Sequence, residues 1–191
     1  HESARLLAQL GRLIGRETDA ARHAALAEAI RDAYARSPMG QRRPATQSAA
    51  TFALQRGLLP ESERAAAVAW LVDDIRARGG HLSTGIFGTK FALEVLSCEG
   101  QAQTAFDLVT AQSAPGWGHM LASGATTLWE HWALSDNTYS HNHPMFGSIS
   151  QWFFNWLGGI QPAADAVAFD RIVIRPQTVE GLDWVKTSYR S

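Results

Sequence analysis

The chain has 191 residues, 46% of them hydrophobic, with seven tryptophans and eight phenylalanines. This composition is typical of a globular protein with a sizeable core. The net charge of −1 leaves no basic surplus for phosphate groups, so nucleic acid is not expected as a partner. A single cysteine excludes an intrachain disulfide and a multi-cysteine metal site. No apolar run approaches the roughly 20 residues that cross a bilayer, so no membrane partner is expected either.

The first eighty residues predict helices that pack in pairs. Apolar residues recur at helical spacing from Leu6 to Ile14 and from Leu26 to Tyr34. A third helix is predicted from about Thr46 to Arg56, and a fourth from Pro60 to the glycines at 79–80. Their charged residues fall mostly on the opposite faces, which is typical of solvated surface. The repeat of about 40 residues predicts a toroid of helical hairpins.

The next part of the chain predicts further helices separated by glycines. Gly85 and Gly88 are expected to interrupt the chain before a helix over residues 89–97, and a helix over 101–112 follows. Another helix is predicted over 145–157, where two glycines end it. The fold class predicted for this region is therefore mainly α.

The C-terminal segment predicts strands. Residues 168–176 form one expected strand and residues 182–189 a second, with 177–181 as the turn of a short β-hairpin. Two strands alone are marginally stable, so we expect them to open a C-terminal β-sandwich domain that continues beyond this chain. The predicted boundary assigns residues 1–163 to a partial helical barrel and residues 164–191 to the start of that β-domain.

One carboxylate, Glu130, lies in a stretch rich in aromatic residues. Residues 114–156 contain five of the seven tryptophans and four of the seven histidines, but only the acids Glu130 and Asp136. Glu130 has Trp129 and Trp132 beside it in the sequence GATTLWEHW, whose threonines are expected to cap a short helix. A carboxylate partly enclosed by indoles suits a general acid or base, and a tryptophan-lined cleft suits a carbohydrate.

Structural alternatives exist for each of these residues. Glu130 could instead pair with a cation or cap a helix inside an aromatic core, and Trp129 and Trp132 could be core residues. Asp136 is typical of a surface turn in the sequence LSDN. The sequence therefore offers one good carboxylate, whereas glycoside hydrolysis normally uses two.

A second motif, SHNHPMFG at 140–147, precedes the last predicted helix. Asn142 and His143 are candidate partners for sugar hydroxyls, and the alternative is a turn that only caps the helix. Trp117, in the sequence PGWGHM, is expected at the mouth of the barrel. A metal site built from His143 and neighbouring histidines lacks a carboxylate ligand at suitable spacing, so no metal or cofactor is predicted.

The order and spacing of these motifs resemble those of the α-L-rhamnosidases. The similar segments, with the family pattern after each, are residues 81–89 (HLxTGxxGT), 115–120 (PSWGxM), 124–132 (GATTxWExW), 140–147 (SxNHxxxG), 156–160 (GGI) and 169–176 (IxIxP). The resemblance covers essentially the whole chain and is specific from His81 to Pro176. It implies an inverting glycoside hydrolase with an (α/α)6 barrel that removes terminal L-rhamnose from glycosides or polysaccharides.

The same resemblance implies roles for individual residues. Glu130 matches the general base of the family, and His143 matches a histidine that contacts the rhamnose ring. The general acid of the family lies on a segment upstream of anything that this chain matches. Because an inverting pair needs both carboxyls, roughly 6.5–9.5 Å apart, this chain is expected to supply one of the two.

Two other interpretations remain open at this point. The chain could be a non-catalytic fragment that binds sugar or a partner, or part of another (α/α)6 enzyme such as an unsaturated-glycuronyl hydrolase. A partial barrel is expected to expose large apolar faces, which a second copy in a homodimer or a missing upstream segment would cover.

Overall fold

The structure is a computed structural model that describes residues 1–38, 40–41, 45–134, 140–164, 166–167 and 169–190. These residues are mainly helical and include one two-stranded antiparallel sheet, which confirms the predicted fold class. The α-helices of the described residues are α1 (Glu2–Leu13), α2 (Glu17–Arg36), α3 (Gln47–Gln55), α4 (Glu61–Ala77), α5 (Ile86–Cys98), α6 (Ala102–Thr110), α7 (Trp117–Ala122) and α8 (Ser148–Trp152). Among them, no helix is long and apolar enough to cross a membrane.

Consecutive helices pack in pairs, as the sequence predicts. α1 packs against α2 so closely that a Cβ on Gly11 would lie 3.0 Å from the Ala20 Cβ. α3 packs against α4, and α5 packs against α6. Since α3 and α8 also contact α5, α5 is the central helix of the described structure.

Local sequence signals set the ends of α3. The Thr46 hydroxyl accepts a hydrogen bond of 3.1 Å from the Ala49 N–H, which satisfies one of the unpaired amides of the first turn. The helix stops before Gly57, whose φ of 58° is readily adopted by glycine. Both ends agree with the sequence prediction to within one residue.

The hydrophobic core lies mainly between α3, α4, α5 and α6 and the aromatic residues that follow them. Leu54, Leu71 and Leu96 are at most 2% exposed. In contrast, α1 buries only small residues, while its large apolar residues are 44–78% exposed: Leu6, Leu7, Leu10 and Leu13. The exposed apolar face that is expected of a partial barrel is therefore present on α1.

α5 begins earlier than the sequence predicts. Gly88 is expected to interrupt the chain, but it lies inside the first turn of α5 and is buried. A Cβ at this position would come within 2.6 Å of the Ser48 Oγ and 2.8 Å of the Thr84 Cβ. The glycine therefore permits close packing of α5 against α3 and does not break the helix.

The helix predicted over residues 145–157 is present in three consecutive pieces. A 3₁₀ turn (Pro144–Gly147) leads into α8, and a π turn (Phe153–Leu157) follows. Gly159 then reverses the chain with a φ of 70°, where a Cβ would lie 2.1 Å from the Pro176 nitrogen. Glycine is required here both for its conformation and for the close approach of the returning chain.

The sheet pairs different segments from those predicted. β1 (Ile160–Pro162) pairs antiparallel with β2 (Ile172–Ile174), so that Ile160 lies opposite Ile174. The strand predicted over 168–176 is thus confirmed at its centre, although Ala168 lies outside the described residues. The strand predicted over 182–189 is wrong, because these residues form no strand.

The chain after β2 returns to the helices, which explains this error. The Gln177 N–H donates to the Trp156 carbonyl at 2.9 Å, and the Glu180 N–H donates to the Gln103 Oε1 at 2.7 Å. These bonds tie the predicted turn at 177–181 to the helices, and the segment that follows does not fold back along β2. The sheet joins residues on both sides of the predicted boundary at 163–164, and that boundary stays a prediction.

Candidate active site

Glu130 lies on an irregular loop whose two arms run side by side. The Glu130 N–H donates to the Ser140 carbonyl at 2.9 Å, and the His143 N–H donates to the Leu128 carbonyl at 2.8 Å. The Thr127 hydroxyl also donates to the His141 carbonyl. We call residues 125–132 the first arm of this loop and residues 140–146 the second arm.

The short helix predicted around Glu130 is absent. Residues 125–134 form bends and irregular backbone, because their main-chain groups bond to the second arm and not to each other along a helix. Asp136, interpreted from the sequence as a turn residue, lies outside the described residues.

The Glu130 carboxylate is held by the backbone of the second arm. Its Oε2 accepts a hydrogen bond of 2.9 Å from the Ser140 N–H. The Nδ1 of His143 lies 4.0 Å from the same oxygen. The side chains of Glu130 and His143 remain 34% and 26% exposed, so the carboxylate is both fixed and accessible to a solute.

Asn142 lies next to this pair. Its N–H donates to the Ser140 Oγ at 3.1 Å, and the residue is exposed. Glu130, Asn142 and His143, three of the predicted site residues, are therefore brought together by the two arms.

The predicted tryptophans occupy the core beneath the loop. Trp117 is 6% exposed, Trp129 4% and Trp132 9%. Trp129 lies against two histidine rings, with centroid distances of 6.2 Å to His119 and 5.9 Å to His141. This burial favours the core alternative that the sequence left open, and direct sugar contact by the three indoles stays a prediction.

Trp117, Trp132 and Phe146 form an aromatic cluster. Trp132 stacks on Phe146 at 4.0 Å and meets Trp117 edge-on at 5.1 Å. The indole N–H of Trp117 donates to the Phe146 carbonyl at 3.1 Å, which satisfies this polar group inside the core. The cluster thus links the start of α7 to both arms of the loop.

Sequence reasoning missed a buried polar network next to this cluster. Gln47 is 1% exposed, and its side chain bonds to the backbone of residues 81 and 83. His81 in turn contacts the Pro115 carbonyl and the Ser113 hydroxyl through its two ring nitrogens, at 2.9 and 3.0 Å. The available signal was a glutamine at the start of an apolar helix, where a buried amide needs partners.

Among the described residues, the carboxylate belongs neither to a metal site nor to the pocket beside the first arm. Within the described residues, no group of three or more His, Cys, Asp or Glu is arranged to hold a metal ion. A pocket of about 460 Å³ lies beside the first arm, lined by residues such as Leu121, Leu128 and Phe153, but not by Glu130 or His143.

Comparison with known proteins gives consistent matches. The sequence model described as the bacterial alpha-L-rhamnosidase 6 hairpin glycosidase domain matches residues 1–157. An α-L-rhamnosidase of Streptomyces avermitilis is 33% identical over 183 residues, which are 92% of this chain and 17% of that protein. An α-L-rhamnosidase of Alteromonas sp. is 32% identical over 155 residues, 75% of this chain and 16% of that protein.

Solved structures agree with these sequence matches. The α-L-rhamnosidase from Dictyoglumus thermophilum superimposes with a TM-score of 0.86 at 30% identity, over 94% of this chain and 21% of that one. The Streptomyces avermitilis enzyme complexed with L-rhamnose gives a TM-score of 0.84 at 33% identity, over 93% and 18% of the two chains.

The helical hairpins and these matches define the class as a glycosidase domain built as a helical toroid. Within this class, the chain belongs to the bacterial α-L-rhamnosidase six-hairpin glycosidase domain family. It spans about one sixth of the length of the curated relatives given above, 17% and 16%.

Proposed function

We propose that this chain supplies the general base, Glu130, of an inverting α-L-rhamnosidase that removes terminal α-L-rhamnose from glycosides or polysaccharides. The observation that carries the proposal is the geometry of the carboxylate. Glu130 is held by the Ser140 amide at 2.9 Å, remains 34% exposed and lies beside His143. The family match and the L-rhamnose bound to a relative of similar fold support the substrate.

The two carboxylate oxygens would have separate tasks. Oε2 accepts the Ser140 N–H, which fixes the plane of the carboxylate. With Oε2 occupied by this bond, we assign to Oε1 the acceptance of a proton from a water molecule. That water would then attack the anomeric carbon on the face opposite the leaving group, which inverts the configuration.

His143 and Asn142 would orient the sugar. The gap of 4.0 Å between the His143 Nδ1 and the Glu130 Oε2 is too long for a direct hydrogen bond. A sugar hydroxyl or the attacking water can bridge such a gap. The exposed amide of Asn142 supplies a further donor and acceptor on the same arm.

The leaving oxygen needs a proton from a second carboxyl group, roughly 6.5–9.5 Å from the base. We assign this general acid to the part of the enzyme outside this chain. We likewise propose that residues 1–163 contribute to the catalytic barrel and residues 164–191 begin the β-domain. The proposed reaction requires no metal or cofactor, and we propose no nucleic acid or membrane as a partner.

Glu130→Gln in the full-length protein tests the assignment. Glutamine keeps the size of the side chain and can still accept the Ser140 N–H, but it cannot take a proton from water. We expect kcat on an aryl α-L-rhamnoside to fall by about 10²–10⁴-fold, while calorimetric binding of L-rhamnose is retained. With the unaltered full-length protein, proton NMR should show β-L-rhamnose as the first product, because inversion of an α-L-rhamnoside gives the β-anomer.

Glu63→Gln is the matched control, because Glu63 is an exposed residue on α4. It should leave kcat unchanged. An unaltered rate in Glu130→Gln would refute the base assignment, and α-L-rhamnose as the first product would refute the inverting mechanism.

A further inference from the structure

The loop between α4 and α5, residues 78–85, is fixed from one side by Gln47. The Gln47 Oε1 accepts the Ser83 N–H at 2.7 Å, and its Nε2 donates to the His81 carbonyl at 3.2 Å and to the Asp74 Oδ2 at 3.0 Å. One buried amide therefore bonds to the backbone on both sides of Leu82 and to a carboxylate of α4. A loop tied in this way is a rigid support.

The same loop is bonded on its other side to the Glu130 loop. The indole N–H of Trp132 donates to the Thr84 carbonyl at 2.7 Å, in the buried interior. The hydroxyl groups of Thr84 and Thr89 bond to each other at 2.7 Å. Thr84 and Thr89 are at most 1% exposed, so water does not replace these bonds when they break.

Trp132 is enclosed by other aromatic residues of the core. One face stacks on Phe146 at 4.0 Å, and Trp117 meets it edge-on at 5.1 Å. Only 9% of the residue is exposed. Its one polar atom is directed at the α4–α5 loop, and the residue follows Glu130 by two positions in the first arm.

We propose that Trp132 is a positioning residue, whose hydrogen bond to the Thr84 carbonyl fixes the arm that carries Glu130. This inference rests on the proposed function of Glu130. Sub-ångström placement of a base matters, because a shift of about 1 Å costs on the order of 10²-fold in rate. The chain of contacts runs from α3 through Gln47, the α4–α5 loop and Trp132 to the carboxylate.

Trp132→Phe in the full-length protein removes the donor but keeps an aromatic ring. We expect kcat on an aryl α-L-rhamnoside to fall by about 10- to 100-fold, with KM changed less than about threefold because the side chain is buried in the core. Trp152→Phe is the matched control. Trp152 is 3% exposed in the same core, and its indole donates to the Ser97 Oγ at 2.8 Å, so it should lose stability but keep kcat.

Combining Trp132→Phe with Glu130→Gln distinguishes a positioning effect on Glu130 from a general loss of folded structure. If Trp132 acts through Glu130, the double variant has the residual turnover of Glu130→Gln alone, since the two effects are not additive. Multiplied losses, or equal kcat losses in Trp132→Phe and Trp152→Phe, would overturn the inference. A full rate in Glu130→Gln alone would instead overturn the proposed function and this inference with it.

A second pair of variants tests whether the α4–α5 loop positions Glu130 without altering an aromatic residue. Thr89→Val keeps the shape but leaves the Thr84 hydroxyl unpaired, and we expect a kcat loss of about three- to tenfold that also disappears in the Glu130→Gln background. Thr51→Val is its control, because Thr51 is equally buried and its hydroxyl has no hydrogen-bond partner in the described structure. Equal kcat in Thr89→Val, Thr51→Val and the parent protein would contradict the proposal.

Discussion

Replacement of Gln47 by methionine removes the polar side chain that holds the α4–α5 loop. Methionine keeps the length and the unbranched shape of glutamine, so packing in this buried position is largely preserved. The change deletes one acceptor and two donor contacts: the Ser83 N–H at 2.7 Å, the His81 carbonyl at 3.2 Å and the Asp74 carboxylate at 3.0 Å. The Ser83 N–H and the His81 carbonyl then lose their side-chain partner.

The expected cost follows from these three bonds. Two neutral bonds contribute about 0.5–1.5 kcal/mol each, and a bond to a charged group contributes about 1.5–3 kcal/mol. The last figure is reduced here, because Asp74 keeps its ion pair with Arg78 at 2.8 Å. We therefore expect Gln47→Met to lower the free energy of unfolding of this part of the protein by about 3 kcal/mol.

Hydrogen exchange measured by mass spectrometry reports this loss locally. The Ser83 amide should exchange much faster in Gln47→Met, since its acceptor is gone, and the thermal midpoint should fall. Gln103→Met is the matched control, because Gln103 makes the same two-way contact with the backbone of Glu180, at 2.7 and 3.4 Å, on the surface. Unchanged Ser83 exchange, or equal destabilisation by both variants, would refute the reasoning.

Two further predictions concern buried polar groups. Thr51→Val should raise the free energy of unfolding by about 1 kcal/mol, because it removes a buried hydroxyl that has no partner among the described residues; a lower thermal midpoint would contradict this. Burial raises the pKa of Glu94, against the opposing charges of Arg56 and Lys90. A raised carboxyl pKa reduces stability as the pH rises above the unfolded value of about 4.3. Glu94→Gln should therefore raise the thermal midpoint at pH 7 but not below about pH 4, and an equal gain at both pH values would argue against it.

The helices could be predicted because their signals are local. The capping hydroxyl of Thr46 and the glycine at position 57 fix the ends of α3, and both are visible in a few consecutive residues. Gly88 was misleading because its function depends on Ser48 and Thr84, which approach it from other elements. A glycine that permits close packing and a glycine that breaks a helix look the same in one sequence.

The strand errors have a similar origin. The segment 182–189 has strand-forming residues, but the preceding backbone bonds to Trp156 and Gln103. These contacts are distant in sequence and override local propensity. The partner strand β1 has only three residues, too few to give an alternating pattern.

The candidate site could be proposed from the sequence where the chemistry of the residues and the order of the motifs coincide. Glu130 and His143 were identified from the sequence, and the structure brings them within 4.0 Å. Gln47 and Thr84 were not identified, because their partners are mostly backbone groups, which every residue carries. A glutamine at the start of an apolar helix indicates that its amide needs partners, but it does not show which backbone groups supply them.

The arms of the Glu130 loop are joined largely by main-chain groups, so their contacts depend little on which side chains the loop carries. All three of these donors are backbone groups: the N–H groups of Glu130, Ser140 and His143. Of the twenty amino acids, only proline removes such a donor. The Ser140 side chain can therefore vary while the Glu130 carboxylate keeps its hydrogen bond to the Ser140 N–H, so most substitutions at Ser140 are expected to leave this anchor in place.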